Sequence, residues 1–371
     1  MREWRCGPIA TPTAVTGWLI AFAFGLSCSS AGSRSPADAS VESPASGGQS
    51  GASDSSTTSS SGIAVVGRQV LVDGLPFHVK GVCWNPVRKG GTHPGDLDFA
   101  GAAPRDIPLM KAAGINAVRT YEPLTDRSVL DALWAAGIRV LNTVYSYGGN
   151  AVATAADPVR AVKDHPAILL WIVGNEWNYN GLYVGMSASD AQARVAQAVA
   201  VVRANDTTHP IATVYGDLPS ATTIAALPEV DLWGVNVYRG LDFGTLFDDW
   251  RARSAKPFLI SEYGADAWNA KLPGVDTASQ AMATRSLTQQ IRDHGSAYST
   301  SGSCIGGALF EWADEWWKDA NGSPSVHDVG GVAPGGGPYP DMTFNEEWWG
   351  IVDIDRVPRS AYQELMKLFA P

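Results

Sequence analysis

Two segments decide the fold of this chain: Leu170-Trp-Ile-Val-Gly-Asn-Glu-Trp177 and Phe258-Leu-Ile-Ser-Glu-Tyr-Gly264. Each is a near-continuous apolar run that leads into a glutamate. Such runs predict strands that are buried on both faces, as in a parallel sheet covered by helices. A carboxylate at the end of a buried strand is costly unless the protein uses it. We therefore expect chemistry at the carboxyl ends of the strands.

The same alternation of apolar runs and amphipathic segments continues along the chain. The predicted strands are 77–85, 115–121, 138–145, 167–175, 210–215, 231–238, 257–262 and 304–312. The predicted helices include 104–113, 126–136, 189–204, 278–293 and 360–369. Gly114 and Gly137 each follow a predicted helix and precede a β-branched residue, which is typical of a helix stop before a strand.

This pattern predicts an α/β fold, a single (β/α)8 TIM barrel over residues 63–371. A short β-hairpin around Asp73-Gly74 is expected before the barrel. The alternative is a doubly wound open sheet. That fold would carry a glycine-rich phosphate loop after its first strand, where this chain has Val82-Cys-Trp-Asn-Pro86.

Composition narrows the classes of partner. The 27 basic and 37 acidic residues give a net charge of −10, which argues against a nucleic-acid partner because phosphate binding needs a basic surface. Hydrophobic residues make up 45% of the chain and charged residues 17%, so most of it can bury a core.

The first 28 residues are expected to be a signal peptide of the lipoprotein type. Trp18–Leu26 is an apolar run that is too short to span a membrane. Leu26-Ser27-Cys28 resembles a bacterial lipoprotein cleavage box, which predicts export and a lipid anchor at Cys28, the only expected contact with a membrane. Cleavage and release to the periplasm or medium is the alternative. Residues 29–62 contain 14 serines and are expected to form a disordered tether.

No cofactor or metal is expected. Outside the signal region the chain has two cysteines, Cys83 and Cys304, which excludes a disulfide scaffold but leaves a single bridge open. His327 and Asp328 lack a second pair of ligands with useful spacing. The absence of a G-x-S-x-G motif gives no support to ester or peptide hydrolysis.

Glu176 and Glu262 are the predicted catalytic pair. They end the fourth and seventh predicted strands, which lie across a barrel mouth from each other. Two opposed carboxylates about 5–5.5 Å apart suit retaining glycoside hydrolysis, in which one protonates the leaving oxygen and the other attacks the anomeric carbon. The simpler alternative is that each glutamate pairs with an arginine at the rim.

Asn175-Glu176 and Glu262 resemble the signature of the clan A (β/α)8 retaining glycosidases. Gly114-Ile-Asn-Ala-Val-Arg-Thr-Tyr121 and Ser261-Glu-Tyr-Gly264 resemble the β-1,3-glucanosyltransferases of glycoside hydrolase family 72. The closing segment Asn345-Glu-Glu-Trp-Trp-Gly-Ile-Val-Asp353 is similar to the barrel of glycoside hydrolase family 2. The matches span about residues 65–365, the whole predicted barrel.

The resemblance implies a role for each matching residue. Glu176 would be the acid/base and Glu262 the nucleophile, while Asn175 would hydrogen-bond the sugar 2-hydroxyl. Arg119 and Tyr238 would contact Glu262, and a cation and a hydroxyl donor there would keep the carboxylate ionised. Trp312 would be the platform beneath the sugar. Trp84, near the end of the first predicted barrel strand, is expected to contact substrate.

Three more carboxylates, Glu311, Asp314 and Glu315, lie at or just after the end of the eighth predicted strand and are interpreted as supporting groups. The expected function is that of a retaining β-glycosidase or transglycosidase acting on a β-linked oligo- or polysaccharide, with β-glucan favoured. A non-catalytic carbohydrate-binding barrel is the alternative from another class. The sequence leaves the oligomeric state open.

Overall fold

The eight apolar runs form the strands of a closed parallel barrel in the computed structural model. The structure describes residues 62–318, 322–329, 340–341 and 343–370. The predicted signal peptide, Cys28 and nearly all of the predicted tether lie outside the described residues. The strands in chain order are β1 (Ile63–Val66), β2 (Gln69–Val72), β3 (Leu75–Pro76), β4 (Val79–Cys83), β5 (Ala117–Arg119), β6 (Arg139–Tyr145), β7 (Ile168–Val173), β8 (Ile211–Gly216), β9 (Leu232–Asn236), β10 (Phe258–Tyr263), β11 (Trp268–Asn269), β12 (Gly274–Val275) and β13 (Cys304–Leu309).

The barrel is formed by β4 to β10 and β13, in the circular order β10-β13-β4-β5-β6-β7-β8-β9. Every neighbouring pair in this ring is parallel. The predicted TIM barrel is therefore confirmed, and the open doubly wound sheet is excluded. Because the strands are parallel, the residues at their carboxyl ends meet at one mouth.

The predicted hairpin is also confirmed, as part of a small three-stranded sheet. β2 and β3 pair antiparallel around Asp73 and Gly74, both of which have positive φ, as a two-residue hairpin turn requires. β1 adds a third strand. Ile63 and Val70 of this sheet pack with the barrel-interior residue Leu141, so the sheet covers the amino-terminal end of the barrel.

The predicted long helices are present, with one boundary displaced. Helix α1 begins at Phe99, five residues before the predicted start at Pro104, because the Asp98 side chain accepts the Gly101 N–H and caps the helix earlier. The short helices were not predicted. The helices are α1 (Phe99–Ala112), α2 (Arg127–Ala135), α3 (Ala156–Val162), α4 (Trp177–Asn180), α5 (Ala188–Asn205), α6 (Ala221–Ala225), α7 (Leu246–Arg253), α8 (Thr277–Asp293) and α9 (Ser360–Phe369).

The two predicted glycine stops have the backbone conformation that the prediction requires. Gly114 and Gly137 have φ values of +74° and +78°, in the left-handed region that favours glycine. Each turns the chain from a helix into the next barrel strand. This geometry fixes where β5 and β6 start, and therefore which of their residues reach the mouth.

The two cysteines do not form the bridge that the sequence left open. Cys83 and Cys304 are both buried as free thiols. Burial raises the pKa of each thiol to about 12, so both stay protonated at neutral pH. Over the part of the chain that the structure describes, no helix has the length and apolar character needed to cross a membrane.

Candidate active site

Glu262 lies at the centre of a set of donors in the barrel mouth. It is the second-to-last residue of β10, and the residue is 6% exposed. Oε1 accepts from Arg119 Nη1 at 2.7 Å and from the Tyr121 hydroxyl at 2.8 Å. Oε2 accepts from the Tyr238 hydroxyl at 2.9 Å. One cation and two hydroxyl donors therefore hold this carboxylate in place.

The structure thus brings Arg119 and Tyr238 to Glu262, where the resemblance placed them. Arg119 is fully buried and also donates to the Ser261 carbonyl at 2.8 Å. Burial by itself lowers the pKa of a guanidinium, but neighbouring Tyr121 and Glu262 outweigh that effect and raise the pKa of Arg119. The guanidinium is therefore a permanent positive charge below the mouth.

Asn175 is held by hydrogen bonds on both ends of its amide. Its Oδ1 accepts from Arg119 Nη2 at 2.6 Å and from Asn236 Nδ2 at 3.2 Å. Its Nδ2 donates to the Tyr183 hydroxyl at 3.0 Å. Because Arg119 binds both Asn175 and Glu262, the guanidinium fixes the spacing between the ends of β7 and β10.

Glu176 follows in a strained backbone conformation. It comes three residues after β7, with φ +44° and ψ +34° in the left-handed region, which is uncommon for a residue other than glycine. Burial, followed by the negative charge of Glu262, raises the pKa of Glu176 to about 7. The two glutamates therefore share one site, with Glu176 poised to hold a proton near neutral pH.

An aromatic cluster surrounds the Glu262 end of the site. It contains Phe310 and Trp349, with Tyr121, Tyr238 and Phe344 packed against them. The ring of Phe310 stands edge-on to Tyr121 at 6.3 Å and to Tyr238 at 6.4 Å between centroids. These rings exclude water from one side of the Glu262 carboxylate, which strengthens its interaction with the donors.

Tyr121 and Phe310 were not singled out from the sequence. For Tyr121 a signal was present, because it lies two residues after Arg119 and alternate residues of a strand point to the same face. Phe310 offered no comparable signal. Phe310 lies just past β13, and Trp349 reaches the mouth from the long connection after it.

Trp84 and Trp312, predicted to contact substrate, lie elsewhere. Trp84 is 0% exposed, and its Nε1 donates to Asp106 of α1 at 2.9 Å. Trp312 is 1% exposed and packs edge-on against Tyr362 of α9. Both indoles fill the layer between strands and helices, so their placement does not support substrate contact. The preceding residue, Cys83, faces the aromatic cluster of Phe310 and Trp349. Because successive residues of a strand point to opposite faces, Trp84 points outward.

The three further carboxylates, Glu311, Asp314 and Glu315, lie in different surroundings. Asp314 pairs with Arg359 through two contacts of 2.6 Å and so joins the segment after β13 to the start of α9. Glu311 and Glu315 are buried side by side. Burial and the neighbouring Glu315 raise the pKa of Glu311 well above its ordinary range, which favours one shared proton between the two.

Lys318 joins this acidic pair to the aromatic cluster. Its Nζ lies 3.4 Å from Glu315, 3.2 Å from Glu346 and 4.0 Å from the centroid of the Phe310 ring. Burial lowers the pKa of this amine, but the surrounding carboxylates, led by Glu346 and Glu315, raise it well above the ordinary value. The lysine charge is therefore already matched by carboxylates.

Part of the connection between residues 318 and 345 lies outside the described residues. In the described part, Phe344 packs on Tyr238 at 5.4 Å, and His327 lies between Trp316 and Trp348 in a stack. Among the described residues, no group of three or more histidines, cysteines or acidic side chains has the arrangement to hold a metal ion.

Fold and site together define a TIM barrel with two unequal glutamates at its mouth, and comparison with known proteins points to the same class. Residues 147–292 match the family model of glycosyl hydrolases family 2, TIM barrel domain. Rat β-glucuronidase is 28% identical over 229 residues, which cover 55% of this chain and 34% of the rat protein. Human β-glucuronidase is 25% identical over 232 residues, which cover 55% and 33%.

Solved structures agree on the fold. A family 2 β-galacturonidase from Eisenbergiella tayi, bound to galacturonate, superposes with a TM-score of 0.58 at 20% identity, over 83% of this chain and 53% of that one. The β-D-glucuronidase of Dictyoglomus thermophilum gives 0.59 at 19% identity, with the same coverage. The chain spans about a third of the curated relatives it matches. The barrel is therefore similar to the barrel domain of family 2 glycoside hydrolases.

Proposed function

We propose that this protein is a retaining β-glycosidase with Glu262 as nucleophile and Glu176 as acid/base. The observation that carries the proposal is the contrast between the two carboxylates. Glu262 accepts hydrogen bonds from three donors, whereas burial and the charge of Glu262 raise the pKa of Glu176 to about 7. Two carboxyl groups whose surroundings push their protonation apart are suited to act as nucleophile and acid.

In the first step, Glu262 attacks the anomeric carbon while Glu176 protonates the departing oxygen. In the second step, Glu176 takes a proton from water or from an incoming sugar hydroxyl, which displaces Glu262. Arg119 and the two tyrosines hold the Glu262 carboxylate in position. The Asn175 amide lies next to Arg119 and is the group we assign to the sugar 2-hydroxyl.

The substrate we propose is a neutral β-linked glycan, with β-glucan favoured. Lys318 lies among Glu346, Glu315, Glu311 and Glu262, and Arg119 is committed to Glu262 and Asn175. Neither cation is left over for the carboxylate of an acidic sugar. The resemblance of several motifs to β-1,3-glucanosyltransferases supports the same choice, and with it a capacity for glycosyl transfer.

A β-uronide is the second candidate, because the curated relatives are β-glucuronidases and the solved relatives include a β-galacturonidase. The acidic surroundings of the mouth oppose it, since a uronic acid would add another negative charge among these carboxylates.

A substrate panel tests the proposal. The protein is incubated with the p-nitrophenyl β-glycosides of glucose, mannose, galactose and glucuronic acid, and with β-1,3- and β-1,4-gluco-oligosaccharides. We expect release from a neutral sugar to exceed release from the glucuronide, and shorter products from an oligosaccharide. Longer products would support transfer. Faster release from the glucuronide would favour the second candidate, and inactivity on every substrate with retained oligosaccharide binding would favour a non-catalytic binder.

We also propose that the protein is exported and anchored through a lipid on Cys28. The support is the apolar run before Leu26-Ser27-Cys28 and the serine-rich segment that follows. Fractionation of expressing cells tests it: the wild type should partition with membranes, and Cys28→Ala should not. A fully soluble wild type whose mature chain begins beyond Cys28 would contradict the anchor.

A further inference from the structure

The segment that follows Glu176 exposes apolar side chains beside the site. Helix α4 is followed by a turn of 3-10 helix at Gly181–Tyr183. Within this segment Tyr179 is 67% exposed, Tyr183 40% and Val184 40%. Exposed apolar groups next to a catalytic carboxylate indicate a binding surface. Tyr183 contacts Asn175 with its hydroxyl, which leaves Tyr179 as the most exposed ring of the segment.

Tyr179 is exposed but not loose. Its neighbour Asn178 donates to the Gly216 carbonyl at 3.1 Å and accepts from the Gly216 N–H at 2.8 Å, which ties α4 to the end of β8. A Cβ atom placed on Gly216 would lie only 2.1 Å from Cε2 of Tyr179. Glycine at this position therefore lets the ring rest against the strand end. The other side of the ring is left to solvent.

Polar groups flank the ring on the side of β8 and β9. Asp217 follows β8 directly and is paired with Arg239, whose Nε lies 3.3 Å from Asp217 Oδ2. Burial, followed by the charges of Asp217 and Glu176, raises the pKa of Tyr179. The tyrosine is thus within electrostatic range of both the proposed acid and this surface ion pair. An apolar ring beside hydrogen-bonding groups is the combination that a sugar requires.

We propose that Tyr179 is the platform for a pyranose ring on the leaving-group side of the cleft, which is also the side that receives an acceptor sugar. The proposal rests on the proposed function, because the general acid must reach the glycosidic oxygen, so the departing sugar lies on the Glu176 side. The aromatic ring suits the apolar C–H face of a pyranose. The bound class is a β-linked glycan of two or more sugars.

A rigid platform outside the reacting sugar gives two measurable properties. Rates should rise with the number of sugars beyond the cleaved bond, since the platform holds them near Glu176. Added oligosaccharide should also compete with water for the covalent intermediate. A substrate whose leaving group is too small to reach Tyr179 should show neither property.

The test uses the full protein and its Tyr179→Ala and Tyr179→Phe variants, with Tyr298→Ala as the matched control. Tyr298 is 53% exposed and precedes β13, at the opposite end of the barrel. The substrates are β-glucosyl fluoride, whose leaving group is a single atom, and β-1,3-gluco-oligosaccharides of three to five sugars. Fluoride release measures the catalytic pair alone, and oligosaccharide cleavage measures the pair together with the platform.

We expect Tyr179→Ala to lower kcat/KM on the oligosaccharides by about tenfold, equivalent to about 1.4 kcal/mol, and to leave β-glucosyl fluoride within about twofold of the wild type. The yield of longer products should fall with it. Tyr179→Phe, which keeps the ring, should stay close to the wild type on both substrates, and so should Tyr298→Ala.

Four outcomes would overturn the platform. If Tyr179→Ala keeps the wild-type rate on both substrates, the ring binds no sugar, and the proposed function stands. Equal losses on both substrates would assign Tyr179 a structural role. A parallel loss in Tyr298→Ala would show that the effect is not specific to the site. A wild type inert on both substrates would contradict the proposed function and the platform together.

Discussion

A rise in pH from 6 to 8 should suppress cleavage of natural glycans by about tenfold, because Glu176 must carry a proton in the first step. The pKa of Glu176 is raised to about 7 by burial and by the charge of Glu262. A group with that value is protonated in about 90% of molecules at pH 6 and in about 10% at pH 8. An ordinary glutamic acid would be protonated in only about 0.3% of molecules at pH 7.

The direction of the pH dependence follows from the role of Glu176 as the acid. The raised pKa keeps Glu176 in its acid form up to about pH 7, so activity is retained below that pH and lost above it. Without the raised value, the fall would occur between about pH 4 and 5. The surroundings of Glu176 therefore determine whether this barrel works near neutral pH.

The assay is kcat/KM as a function of pH for two substrates of the same sugar. The first is an oligosaccharide, whose leaving alcohol needs protonation. The second is a 2,4-dinitrophenyl glycoside, whose leaving group departs without it, so its kcat/KM should stay nearly level between pH 6 and 8. An oligosaccharide rate that remains level to pH 9, or the same fall for both substrates, would refute the assignment of Glu176 as the acid.

Three further predictions follow from the same contacts. Glu176→Ala should keep much of its first-step rate on the dinitrophenyl glycoside and lose the cleavage of oligosaccharides. Added azide should then accelerate turnover and give a β-glycosyl azide, identified by NMR. No acceleration by azide would count against Glu176 as the acid/base. Tyr121→Phe and Tyr238→Phe should each lower kcat/KM about tenfold or more, because each removes a hydrogen bond to a carboxylate worth about 1.5–3 kcal/mol. The control Tyr298→Phe should leave kcat/KM unchanged. Unchanged rates in both Tyr121→Phe and Tyr238→Phe would contradict the arrangement around Glu262. Asp314→Ala should lower the free energy of unfolding in urea by about 3 kcal/mol, because it leaves the Arg359 guanidinium unpaired in a mostly buried position. Glu364→Ala breaks an exposed pair with Lys367 and should lower the free energy of unfolding by less than about 1 kcal/mol. Equal effects of the two substitutions would show that the buried pair adds nothing.

The strands and the glutamate pair were readable from the sequence because both depend on local pattern. An apolar run long enough for a barrel strand, with a glutamate at its end, places that glutamate at the mouth whatever the details of packing. Gly114 and Gly137 marked helix ends for an equally local reason, the positive φ that each adopts. The short helices α3, α4, α6 and α7 lacked such a signal, since helices of this length are set by tertiary packing.

The side chains around the glutamates were less predictable. Trp84 and Trp312 followed strands but point into the layer beneath the helices, because the direction of a side chain just past a strand depends on the local backbone. Trp349 comes from the far end of a long connection, and no spacing in the sequence predicts where such a residue returns to the barrel. Tyr179 reaches solvent beside Glu176 only because Gly216, from a different strand, leaves it space.

Trapping the covalent intermediate is the measurement that tests the two-step mechanism most directly. A 2-deoxy-2-fluoro glycoside with a good leaving group forms the glycosyl–enzyme bond and then hydrolyses slowly, so the modified residue can be located by mass spectrometry of peptides. The sugar used is the one the substrate panel identifies as fastest. We expect one sugar per chain, attached at Glu262, and no adduct in Glu262→Ala. An adduct on Glu176, or on Glu311 or Glu315, with Glu262 unmodified would contradict the assignment of the nucleophile.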